Sequence, residues 1–78
     1  MLKLKLIKRI AGKIVFNYYP EGKEIFGTIS VDERTGEMDV VRVSENDEFG
    51  RYKLHALKRI REFINGDTFT EEDIVAWY

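Results

Sequence analysis

The stretch Leu2-Lys3-Leu4-Lys5-Leu6 alternates apolar and charged residues with a period of two, and the alternation returns twice more before residue 33. Neighbouring side chains of a strand leave on opposite faces, so this pattern gives one leucine face and one lysine face; a helix would scatter the leucines around its axis. In the second run Ile14, Phe16 and Tyr18 share one phase, and Val15, Asn17 and Tyr19 the other. The third sets Ile25, Gly27, Ile29 and Val31 against Phe26, Thr28 and Ser30. Between the runs stand turn signals: Ala11-Gly12, Pro20-Glu21-Gly22, and Asp32-Glu33-Arg34-Thr35-Gly36 with its closing glycine. Proline presets φ and glycine accepts the positive φ of a hairpin exit. Parallel strands need a crossover of about a dozen residues or more, so connections this short impose antiparallel pairing. A fourth run, Glu37 to Val43, breaks phase, with Met38 and Val40 on one side and Val41 and Val43 on the other. That break indicates a bulge or a sheet partly covered on both sides.

A sheet with an apolar face needs a cover, and residues 51–64 supply it. On a 3.6-residue period Tyr52, Ala56, Ile60 and Phe63 form a stripe widened by Leu57 and Ile64, whereas Arg51, His55, Lys58, Arg59, Arg61 and Glu62 fall largely on the other side. Asn65-Gly66 is a C-terminal stop. At the start, Ser44 with Asp47 offers a capping arrangement, and Gly50 can separate a first turn from the main helix. Thr70 and Asp73 then match a capping box, with Phe69 placed to staple against Ile74. The expectation is a short second helix over about 70–76 that docks Ile74, Val75 and Trp77 on the domain. The predicted fold is α+β: a four-stranded antiparallel meander, strands about 2–9, 13–19, 25–32 and 37–43, packed by one main C-terminal helix and ending in a short helix or turn.

With 78 residues there is room for one small domain, taken as 1–78. The absence of cysteine excludes a disulfide framework and a thiol nucleophile, which suits a cytoplasmic setting. Apolar runs fall far short of the roughly 20 residues of a membrane span, and the first residues lack a leader pattern, so a soluble protein is expected. Formal charge is only −1, but it is segregated. Lys3, Lys5, Lys8, Arg9, Lys13 and Lys23 face only Glu21 in residues 1–23, whereas residues 24–48 carry eight acids against Arg34 and Arg42. Such asymmetry can orient a partner, and charged strand edges also guard against aggregation.

The series YYPEG, GTISVDERTGE, DEFGRYKLHALKRIREF and VAWY resembles a family of small uncharacterised proteins from Gram-positive bacteria, over about Asn17 to Tyr78. No established activity accompanies that family. The resemblance implies a small bacterial domain and carries over no catalytic residue.

Read for chemistry, the chain offers little. His55 is the sole histidine and lacks a nucleophile or paired carboxylate at recognisable spacing, so neither an enzyme nor a catalytic residue is expected. Glu45, Asp47 and Glu48, and again Glu71, Glu72 and Asp73, offer oxygen ligands, but the first set lacks the calcium-loop pattern and both suit the positive end of a helix. The scattered glycines form no phosphate or dinucleotide loop, and no metal or cofactor is expected. Binding remains. If a single helix covers one sheet face, the opposite face, with Val15, Tyr19 and Phe26 as candidate interaction residues, or an outer strand edge can join another chain, and a protein partner, a second copy included, is the first expectation. The competing arrangement wraps the first strand and the C-terminal segment over that face. Nucleic acid is the alternative, with Lys3, Lys5, Lys8 and Arg9 as one candidate phosphate-contacting set and Lys58, Arg59 and Arg61 as a second; Tyr18, Tyr19 or Phe26 would stack on bases if uncovered.

Overall fold

The computed structural model describes residues 2–45, 47, 50–66 and 71–75. Five strands, β1 (Leu2–Ile10), β2 (Lys13–Pro20), β3 (Gly27–Asp32), β4 (Met38–Arg42) and β5 (Glu72–Val75), form one sheet in the order β4-β3-β2-β1-β5, and α1 (Arg51–Gly66) lies across it. Every neighbouring pair is antiparallel, so the expected four-stranded meander is present, with a fifth strand added beside β1. The β1–β2 hairpin closes on two residues that both hold positive φ, Ala11 at 52° and Gly12 at 77°. That is the turn geometry whose twist matches paired strands.

The alternation places Leu2 and Leu4 with Ile14, Phe16, Tyr18, Ile29 and Val31 on the helix side, and all are buried. From α1, Ala56, Ile60 and Phe63 complete the core, the Phe16 and Phe63 rings stacking with centroids 6.1 Å apart. Tyr18 lies over its cross-strand partner Gly27 so closely that a Cβ there would sit 2.2 Å from the ring. Its hydroxyl accepts a hydrogen bond from the Ser44 backbone N–H at 3.0 Å and donates to the Asp47 carboxylate at 3.5 Å. Asp47 is itself the helix cap: its two carboxylate oxygens accept from the Tyr52 N–H at 3.0 Å and the Lys53 N–H at 2.8 Å, two of the donors a helix start leaves without internal partners. Gly50, with φ 72°, makes the bend into α1.

Three expectations are corrected. The short helix over about 70–76 is not formed: Glu72–Val75 is a strand paired with Lys5 through Leu2, and the expected Phe69 staple, Thr70 cap and Trp77 dock lie outside the described residues. The outer edge of β1 carries backbone groups in need of partners, and a nucleus of one helical turn fixes several residues for little return, so pairing prevails. Ile74 accordingly does not dock; it is 58% exposed. Ile25, read into the third strand, precedes β3 and is exposed.

Candidate functional site

Because α1 contacts β1, β2 and β5 on one side, the other face of the sheet is left open among the described residues. Among the described residues the wrapping arrangement does not form, since β1 and β5 both lie within the sheet; residues 76–78 lie outside the described residues. Register assigns the residues of this face. Lys3 pairs with Tyr19 and Ile74, Lys5 with Asn17 and Glu72, Lys8 with Val15, and Val15 and Asn17 in turn with Ser30 and Thr28. Across from these, Asp39 and Arg42 of β4 pair with Ser30 and Thr28.

Two bulges decide which charges reach it. In an uninterrupted strand Arg9 would share the phase of Lys3 and Lys5, and Lys8 would fall on the leucine side. The register slips between Leu6 and Lys8, making Ile7 the extra residue, so Lys8 joins Lys3 and Lys5 while Arg9 pairs with Ile14 on the opposite face. There Arg9 binds Glu33, its Nε 2.7 Å from the carboxylate. The slip between Thr28 and Ile29 likewise makes Val41 the extra residue and brings Arg42 onto the open face.

At the centre Tyr19 and Phe26 are half-buried, their rings tilted at 48° with centroids 5.5 Å apart, and the Arg42 guanidinium stands over Phe26 at 5.0 Å. Asn17 bridges its neighbours, donating to the Tyr19 hydroxyl at 3.4 Å and accepting from the Thr28 hydroxyl at 2.9 Å. Lys3 pairs with Glu72 at 2.9 Å, and that hydrogen bond holds the Glu72 carboxyl below its ordinary range. Lys5, Lys8 and Lys13 are exposed.

The candidate residues therefore separate into groups. Val15, Tyr19, Phe26, Lys3, Lys5 and Lys8 share the open face. Tyr18 is fully buried under the helix and takes no part in stacking. Lys58, Arg59 and Arg61 lie on α1, on the far side of the sheet, and Arg59 joins the helix to β5 through Asp73 at 3.4 Å. The two basic sets are thus not one footprint. His55 is half-buried on α1. The acidic run at residues 71–73 is divided by the pleat, Glu72 meeting Lys3 on one face and Asp73 Arg59 on the other, and Asp47 is committed to the helix start. Among the described residues no helix is long and apolar enough to cross a membrane.

Arg42 and Lys13 belong to this surface and were not among the sequence candidates. Lys13 was legible from the phase it shares with Val15; Arg42 reaches the face only through a bulge. No family model, curated protein or solved structure matches the chain.

Proposed function

We propose that this domain is a non-catalytic, cytoplasmic binding module whose open sheet face takes single-stranded nucleic acid. What carries the reading is the shared face of the β1 lysines and the Tyr19–Phe26 pair, with Lys3 directly opposite Tyr19. Bases stack on aromatic rings whatever their identity, while a row of cations beside the rings follows the phosphates. Asn17, Thr28 and Ser30 add amide and hydroxyl groups between ring and cation. Lysine is depleted at the centre of protein interfaces, where its ammonium must be desolvated, so a lysine row suits a solvated polyanion better than the packed contact first expected for Val15, Tyr19 and Phe26.

Fluorescence anisotropy with labelled single-stranded RNA and DNA of mixed sequence tests this. Binding should weaken with salt at about −0.7 in log–log slope per phosphate contacted, a total of roughly −2 to −3 for four lysines. Lys5→Gln with Lys8→Gln should reduce the slope, and Phe26→Ala should weaken binding with the slope unchanged. Absence of binding at low salt, or binding that survives loss of both lysines and Phe26, overturns the proposal; retention of an acidic protein after nuclease treatment would assign the same face to a protein partner instead.

A further inference from the structure

β4 is an outermost strand of the sheet, and α1 lies over β1, β2 and β5, away from it. Among the described residues its outward backbone groups face no other strand. Val40 and Val41 within β4 and Val43 just past its end are 36%, 66% and 49% exposed, three valines within four positions. The opposite edge differs, being a four-residue strand that carries Glu72 and Asp73, the charged and short form that discourages further pairing.

The charges of β4 commit this edge to one occupant. Asp39 and Arg42 are three residues apart, a spacing that puts side chains on opposite faces of a regular strand. The bulge at Val41 brings them to the same face, both exposed. Antiparallel pairing about a two-fold axis between Val40 and Val41 would then set Asp39 of each copy against Arg42 of the other, Val40 against Val41, and Met38 against Val43. Directly opposed residues share a face in antiparallel pairs, and opposite charges so placed are favourable. A two-fold contact must be self-complementary, and this strand is.

We propose that the β4 edge is a self-association surface through which two copies join antiparallel, β4 to β4, with reciprocal Asp39–Arg42 pairs flanking a valine centre. The contact is a short strand, so the dimer is reversible and concentration-dependent. It leaves Lys3, Lys5 and Lys8 three strands away and meets the open face only at its border, where Arg42 also stands over Phe26.

Sedimentation velocity of the protein alone, over a concentration series, should show the mass rising from 9.2 kDa toward twice that value. Asp39→Arg and Arg42→Asp should each remain monomeric across the series, while the double exchange restores association. Circular dichroism of each variant checks that the fold is intact, and Val41→Lys, at an exposed position, provides a second disruption without altering either charge of the pair. A wild-type protein that stays monomeric throughout, a dimer indifferent to these changes, or single-variant losses that the double exchange does not recover would each overturn the proposal.

Discussion

Tyr18 and Gly27 form a pair in which each requires the other. The ring occupies the volume a Cβ would need, so Gly27→Ala cannot fit unless ring or strand moves. Overpacking of this kind costs about 1–3 kcal/mol, and the added methyl should lower the urea midpoint by a corresponding amount. The Tyr18 hydroxyl meets Ser44 and Asp47, and burial raises its pKa above 10.0. Tyr52, hydrogen-bonded to Glu21, is raised as well, whereas Glu21 is held below its ordinary 4.5 chiefly by that same bond. A raised folded pKa means that the folded state keeps its proton after the unfolded chain has lost it. Stability from the two tyrosines is therefore full below pH 10 and falls as pH rises beyond it. For Glu21 and Glu72 the sign reverses: their contribution is present above about pH 4.5 and is lost on acidification. Urea midpoints measured across pH should show both limbs, and Tyr18→Phe should shrink the alkaline one. Ala11 invites the opposite kind of change. Its positive φ suits asparagine better than alanine, and Ala11→Asn should raise stability by about 0.5–1 kcal/mol in the same titration. The turn was legible at Ala11-Gly12; the need for glycine at position 27 was not, because it arises from a ring on another strand.

Among the elements, α1 illustrates how far periodicity reaches. Its stripe at Ala56, Ile60 and Phe63 is the buried face, as the 3.6-residue spacing indicated. Phe63→Ala removes the ring stacked on Phe16 and should cost about 3–5 kcal/mol, enough to unfold a marginally stable domain; denaturant unfolding within a few tenths of wild type would contradict this packing. Its cap was half legible. Asp47 was picked out with Ser44, but the carboxylate reaches past the bend at Gly50 to the Tyr52 and Lys53 amides, and Ser44 instead donates to the Ile25 carbonyl. Asp47→Ala should cost about 1–3 kcal/mol, since it uncaps α1 and leaves the Tyr18 hydroxyl without its acceptor. β5 shows the limit of local reasoning. Thr70 and Asp73 spell a capping box, and only the unsatisfied edge of β1 makes the strand preferable. Backbone chemical shifts should report extended conformation at Glu72–Val75, with slow amide exchange where β5 pairs with β1. Helical shifts there would restore the rejected alternative.

For the whole molecule, the consequence of one helix on a five-stranded sheet is a division of labour between faces and edges. The open-face lysines and the β4 edge lie on separate parts of the sheet, so their effects should separate. Lys5→Gln with Lys8→Gln should weaken oligonucleotide binding and keep its sedimentation behaviour, whereas Val41→Lys should do the reverse; measuring both properties on both variants checks this. Sequence alone determined the antiparallel meander, the alternating phases of its first three strands and the buried face of the helix, while which sheet face stays open was left to the tertiary structure. These follow from side-chain periodicity and from turns too short for anything else, information carried by neighbours in the chain. Only the tertiary structure decided that Lys8 replaces Arg9 on the open face, that Arg42 and Asp39 share it, and that the last described segment is a strand. Bulge positions and edge pairing depend on how one strand's backbone meets another's, and no residue's immediate neighbours encode that meeting.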